Sequence, residues 1–298
     1  MIHHSVCLLC KSTDISLSLR CYDHLISGEV FEVFKCSSCG FIFTQDYPEE
    51  SESGKYYESE AYNPHSNSGK TFIGQLYQLT RRIMLNRKKR IVMKNCRLST
   101  GNILDIGCGT GHFLNSMKMA GWKTEGVEIN TKAGEFASSA FGLKVFQPRE
   151  LLSIPDNKYD CITLWHVLEH FHEPFKYFRE IKRLIKPEGT VIVALPNSDS
   201  VDSRHYGPYW AAYDVPRHLW HFSPEAFSLF ARENGFEVSF RSYLPFDVFY
   251  ISILSETYKG ARIPLVSGII KAFFFFLFSL IRKSGNSSII YVIRNPGN

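Results

Sequence analysis

Apolar runs of four to nine residues recur between longer mixed segments across the middle of the chain. Residues 103–106, 142–146, 159–165 and 189–197 read as strands. Residues 131–141, 148–153 and 174–186 carry the wider spacing of helices, with Pro174 suited to a first helical turn and the run 186–189 (KPEG) to a stop. Strands alternating with helices predict an α/β fold with a doubly wound parallel sheet. Two more strands follow, at 236–244 and 287–295, and the second is expected to pair antiparallel with the first. Ser223 and Pro224 mark the start of a helix that ends near Asn234 and Gly235.

The flanks of this pattern differ. Residues 1–46 hold two C-x-x-C knuckles, Cys7/Cys10 and Cys36/Cys39, around a stretch of alternating character. Each knuckle brings two thiolates to one metal, so the spacing predicts a zinc ribbon with a structural Zn²⁺ and no open coordination position. Residues 47–75 are polar and carry Tyr56, Tyr57 and Tyr62, a linker or a lid. Residues 76–97 read as a helix, and from 81 to 97 it has eight Lys/Arg and no acid. That face is either simply solvated or a contact for an anionic membrane or phosphate-bearing substrate. Residues 76–298 then form the catalytic domain, with an apolar insert at about 245–285. Within it, 263–281 is interrupted by Lys271 alone and flanked by Lys259, Arg262, Arg282 and Lys283. A single membrane span would separate two strands expected to pair, so the insert packs on protein or dips into one leaflet.

Net charge is +5, which suits anionic partners without demanding nucleic acid. The first ten residues lack a basic segment followed by an apolar one, so a cytoplasmic location is expected, with peripheral contact at the inner face of the membrane. In that compartment the remaining cysteines are expected to be buried thiols.

The stretch 102–130 carries the most chemistry. A strand ending at Asp105-Ile106 turns through Gly107, Gly109 and Gly111 into a helix near His112, and a second strand ends at Glu128. Glycines permit close backbone approach, and an acid about 20 residues on can take both ribose hydroxyls. Asp105 stands where a pyrophosphate would be repelled and an α-ammonium welcomed. This stretch resembles the class I S-adenosylmethionine (SAM) dependent methyltransferases. The resemblance implies a Rossmann-like methyltransferase sheet in which Asp105 and residues 107–111 hold the methionine part and Glu128 the ribose.

Residues 164–170, LWHVLEH, spell the H-x-x-E-H of a zinc peptidase helix. They directly follow a predicted strand, however, and resemble the segment after the fourth methyltransferase strand, which places Trp165 and His166 beside the cofactor. In ubiquinone-type and small-RNA methyltransferases the matching stretch binds a divalent metal. Here Glu169 and His170 either do so with His166 or hydrogen-bond locally to fix the loop, and the local role is the expectation.

The loop after the fifth strand gathers His205, Tyr206, Trp210, Tyr213, Asp214, Arg217, His218 and His221. Such a loop can stack on a sugar and supply a base. The ribbon, the tyrosine-rich link and the run from Trp210 to His218 resemble a bacterial methyltransferase branch that often modifies surface saccharides. The candidate bases are His218, with Arg217 and Asp214 to orient it, then His166 and Asp214. The implied acceptor is a hydroxyl, or a carbon, of a sugar or lipid-linked saccharide. An RNA or protein methyltransferase gripping its substrate with ribbon and basic helix, and a non-catalytic SAM-binding scaffold, are the alternatives.

Overall fold

The computed structural model describes residues 1–57, 72–281 and 285–297. Tyr62, Arg282 and Lys283 therefore lie outside the described residues. At the N-terminus, β1 (Ile15–Tyr22), β2 (Val30–Cys36) and β3 (Ile42–Thr44) form an antiparallel meander. The basic helix α1 (Phe72–Cys96) leads into the main sheet.

That sheet is built in chain order from β4 (Asn102–Ile106), α2 (His112–Lys118), β5 (Lys123–Val127), α3 (Thr131–Phe141) and β6 (Lys144–Phe146). Then come β7 (Tyr159–Trp165), α4 (Pro174–Leu184) and β8 (Ile185–Pro196). Their strands are parallel, as the alternation of elements requires. The KPEG run does not separate α4 from its strand. Ile185 already pairs with Tyr159 and Thr190 with Cys161, so the run bulges out of β8.

After β8 the chain forms α5 (Val201–Tyr206), β9 (Trp220–His221) and α6 (Pro224–Glu233). The Ser223 hydroxyl caps α6 by accepting from Ala226 N. The chain continues as β10 (Glu237–Tyr243), α7 (Asp247–Tyr258), α8 (Pro264–Ile281) and β11 (Ser288–Arg294). β11 lies antiparallel between β10 and β8, giving the order β10-β11-β8-β7-β4-β5-β6. Both faces of the sheet are covered, so β7, β8 and β11 are almost wholly buried.

The N-terminal meander does not stand apart. β9 completes it as a fourth strand, pairing Ile42 with His221 and Phe43 with Trp220. Arg217, 1% exposed at its side chain, donates to Asp23 of the meander at 2.8 Å and to Asp214 at 2.7 Å. It also donates to the Tyr56 carbonyl. Trp210, Tyr206 and Tyr213 are buried in one cluster with Cys21, Phe31, Val33 and Tyr56. Sequence reasoning assigns those rings to stacking on a ligand. They instead join the meander to the α/β domain, because a buried aromatic gains more from dry packing than an exposed one.

Candidate active site and four-cysteine cluster

The candidate cofactor half is built at the C-terminal ends of β4, β5 and β7. Gly107 needs its freedom: φ is +73°, and a Cβ there would meet Val167 Cγ2 at 2.4 Å. Gly109 also has positive φ, and nothing lies within 4 Å of the position its Cβ would take, so the turn is open on that side. Glu128 accepts from Gly109 N at 2.7 Å and Asn130 N at 2.9 Å, which holds its carboxylate against the turn. Gly111 is the N-cap of α2. Asp105 is buried and accepts from the Thr163 hydroxyl at 2.6 Å. Burial pushes its carboxyl up to about 7 against the pull of Thr163 and Lys88. Trp165, also buried, packs edge-on to Phe113, with the Lys88 ammonium 4.6 Å from its ring centre.

These residues fit SAM. A carboxyl held only partly ionised by burial gains from a cationic ligand, and the open glycine turn lies between it and Glu128. Sequence reasoning misses two residues that border the site. Lys88 is hidden in the basic run of α1, and burial lowers its ammonium, opposed by Asp105 and Asp247. Asp247 begins α7 without any motif, and its Oδ2 is 3.2 Å from His166 Nε2.

His166 follows β7 at φ +59°, a costly conformation for a residue with a Cβ. Its N–H donates to the Ala194 carbonyl, and its ring lies between Asp247 and Glu169. Burial opposes the ring's charge, but the two acids outweigh it and push the imidazolium up to about 9.

The next turn, Leu168–His170, meets the loop after β8. Glu169 is 1% exposed, and neither carboxylate oxygen has a hydrogen-bond partner. Glu169 O accepts from Leu219 N, fixing the two segments together. His170 Nδ1 bonds the Arg217 carbonyl at 3.0 Å and approaches Tyr57 OH at 3.2 Å. Burial, then His218, lowers His170 to about 4, so this ring is neutral. His218 Nδ1 bonds the Ala212 carbonyl at 2.8 Å, and its ring packs edge-on to His170 at 4.6 Å. Donor atoms of Glu169, His170 and His218 all lie within 4.8 Å of one another. Asp214 is the outlier among the candidate bases: both of its short contacts are to Arg217, and His218 Nε2 is 3.8 Å from its other oxygen.

Beyond the glycine turn, a cavity of about 530 Å³ opens between α1 and α2, lined by Arg81, Arg82, Asn86, Lys89, His112 and Ser116 among others. The basic run of α1 thus borders a concave surface rather than a plain solvated face.

At the far end, Cys7, Cys10, Cys36 and Cys39 converge, with Sγ–Sγ distances of 3.6 Å for Cys7–Cys39 and 3.5 Å for Cys10–Cys36. Four thiolates at zinc's bond length stand about 3.8 Å apart at the corners of a tetrahedron. The cluster has that spacing, far beyond a disulfide's.

A parallel sheet with an acid–glycine turn at its first strand and an acid at the end of the next defines the class I SAM-dependent methyltransferase fold. The methyltransferase domain family matches residues 77–239, more than half of the chain, and the protein belongs to it. The chain is 32% identical over 107 residues to a ubiquinone biosynthesis O-methyltransferase of Bordetella bronchiseptica, a match covering 34% of this chain and 44% of that protein. It is 30% identical over 110 residues to the enzyme of the same name from Paraburkholderia phytofirmans, covering 35% and 47%. The chain thus spans less than half the length of these curated relatives. The crystal structure of a SAM dependent methyltransferase from Archaeoglobus fulgidus superposes with a TM-score of 0.50 at 18% identity, covering 76% of this chain and all of that one. That likeness concerns the fold.

Proposed function

We propose that the protein transfers a methyl group from SAM to a hydroxyl, or less readily a carbon, of a small acceptor. The carrying observation is the pair Asp105 and Glu128 on either side of the open glycine turn, one strand away from the Glu169–His170–His218 group. SAM supplies an activated sulfonium methyl, so the chain's own work is alignment and proton removal. Asp105 and the turn hold the methionine part, Glu128 the ribose, and Trp165 the wall beside them. His218 serves as base: its Nδ1–H donates to Ala212 O, which leaves Nε2 with a lone pair. His166, held as imidazolium between Asp247 and Glu169, donates rather than accepts at neutral pH. Asp214 acts through Arg217 to place the loop that carries His218.

The acceptor class we favour is a sugar or lipid-linked saccharide. Its support is the cationic cavity beside the turn, which suits a phosphate-bearing substrate, together with the O-methyltransferase relatives, which favour a hydroxyl. Aromatic stacking no longer counts, because Trp210 and Tyr213 are buried. Isothermal calorimetry with SAM and NAD tests the cofactor; binding of NAD in preference to SAM would sink the reading. Mass spectrometry of glycans and lipids with and without the gene then tests the acceptor through a lost increment of about 14 Da, one methylene, after methyl transfer.

A second reading of the acceptor side rests on the Glu169 carboxylate, which is buried without a hydrogen bond and, among the described residues, has only the His166 ring, at 3.6 Å, as its ion-pair partner. His170 and His218 each use Nδ1 on a backbone carbonyl, the arrangement that points Nε2 at a metal. Glu169, His170 and His218 would hold a divalent ion, which lowers the pKa of a bound hydroxyl. Their N,N,O set suits Zn²⁺ or Fe²⁺ better than Mg²⁺. A stoichiometric metal lost in Glu169→Ala but kept in Cys36→Ser would establish it, and turnover undiminished by chelators would exclude it.

For the cysteine cluster we propose a structural Zn²⁺ on Cys7, Cys10, Cys36 and Cys39. Its support is the four-sulfur set and its spacing.

A further inference from the structure

A long apolar face lies on α8. That helix turns Gly268, Ala272 and Ser279 inward, all buried. Gly268 lets it press on α7, since a Cβ there would come within 2.6 Å of Ile253 Cα. Lys271 reaches Glu256 at 2.6 Å and ties the two helices together. On the opposite side, exposed pairs recur every four residues: Leu265 with Val266, Ile269 with Ile270, Phe273 with Phe274, Leu277 with Phe278. Phe274 is 64% exposed and Leu265 57%. Four residues are slightly more than one helical turn, so the pairs form one slowly drifting stripe without a polar side chain in it. Soluble monomers rarely leave so large a continuous patch bare.

We propose that α8 is a docking helix for an anionic lipid surface. The chemistry of the stripe and of its rim selects this occupant. A protein partner would place roughly one hydrogen bond in every 100–200 Å² of contact, and this stripe offers no side-chain donor or acceptor for one. A lipid leaflet asks for none. The charges left exposed between 245 and 281 are Lys259 and Arg262, both cationic. The acids of that segment are engaged, Asp247 against His166 and Glu256 against Lys271. Among the described residues no helix is long and apolar enough to cross a membrane. The hairpin also leaves from β10 and returns to β11, which are paired neighbours. Such a helix lies on the surface with its apolar face in the headgroup boundary. The consequence for the site is direct, because α7, packed against α8, starts at Asp247 beside His166. A docked enzyme would carry its acceptor side one helix away from the lipid. This inference stands whichever acceptor is methylated.

The test is co-sedimentation of the full chain with vesicles of phosphatidylcholine alone or mixed equally with phosphatidylserine. Binding is expected to the mixed vesicles at low salt, weakening at high salt by up to roughly fivefold per engaged Lys or Arg. Phe273→Glu with Phe274→Glu should reduce binding at least about tenfold and leave SAM affinity unchanged, which also shows that the variant is folded. Lys259→Glu with Arg262→Glu should remove the preference for the anionic lipid. The inference is overturned if the wild type ignores mixed vesicles at low salt, or if the phenylalanine variant sediments like the wild type. It is equally overturned by a wild-type dimer that ignores vesicles and that the phenylalanine variant dissolves, since the stripe would then be a contact between two copies.

Discussion

The two halves of the site are built in opposite ways. The core of the proposed cofactor half is one contiguous stretch: Asp105, the glycine turn and Glu128 follow each other along the chain, parallel pairing of β4 and β5 sets them side by side, and Lys88 and Trp165 join them. The acceptor half comes from five separate places. Glu169 and His170 sit after β7, His218 after β8, Asp247 on α7, Tyr57 before α1, and Asp23 in the N-terminal meander holds Arg217. A locally encoded half tolerates change elsewhere in the molecule. An assembled half depends on every joint, and the joints lead to the cysteine cluster.

That dependence gives the largest expected effect. Structural zinc sites contribute apparent binding energies of about 10–16 kcal/mol. Cys36→Ser with Cys39→Ser should remove one zinc per chain by elemental analysis. Hydrogen exchange should quicken in residues 1–46 and, through the β3–β9 pairing, in the loop that carries His218. Unchanged exchange in that loop would mean the halves are not coupled through the ribbon.

Arg217→Met comes next. It leaves Asp23 and Asp214 without their buried cation, a loss of about 3–5 kcal/mol. Denaturant unfolding measures it, and a cost below about 1 kcal/mol would show that the ion cluster does not join the two parts. In a variant that remains folded, SAM affinity should persist while methyl transfer falls.

Asp105→Ala and Glu128→Ala should each weaken SAM binding by about 10- to 150-fold, the value of a charge-assisted contact. Calorimetry that finds both unchanged would remove the cofactor assignment and leave the comparison without its local half.

The smallest effect is a pH dependence. Asp105 has a folded-state carboxyl raised to about 7, so the cofactor-free fold favours its protonated form. Its contribution to stability is present at acid pH and lost as pH rises from the ordinary carboxylate range through about 7. A cationic ligand needs the ionised form, so SAM affinity should rise with pH up to about 7, by less in all than Asp105→Ala costs, and then level off. Titration calorimetry at several pH values reads this. Asp105→Asn should bind weakly with a flat profile.

The difference between the halves is also the difference in what could be read from the chain. Strand-turn-helix-strand with Asp105, three glycines and Glu128 is a contiguous pattern whose geometry follows from short-range sterics. The same holds for Ser223 capping α6. Lys88 was obscured because seven other cations share its segment, and helix periodicity alone does not say which of them turns inward. Asp247 opens α7 between exposed Phe246 and buried Val248 with no motif around it.

By itself, then, the sequence determined the class of sheet, the cofactor turn, the cysteine pairs and the apolar character of 263–281. Each depends on residues near one another along the chain, where backbone geometry and hydrophobic period act directly. Tertiary structure decided that Trp210, Tyr206 and Tyr213 close an internal joint instead of facing a ligand, and that Asp214 belongs to Arg217. It also decided that Glu169 gathers with His170 and His218 and that one face of α8 points outward. These outcomes depend on how separate segments pack, as where Arg217 meets Asp23 of the meander, and burial and charge pairing are settled only once the β9 strand, the N-terminal meander and the α7–α8 hairpin have packed on the sheet.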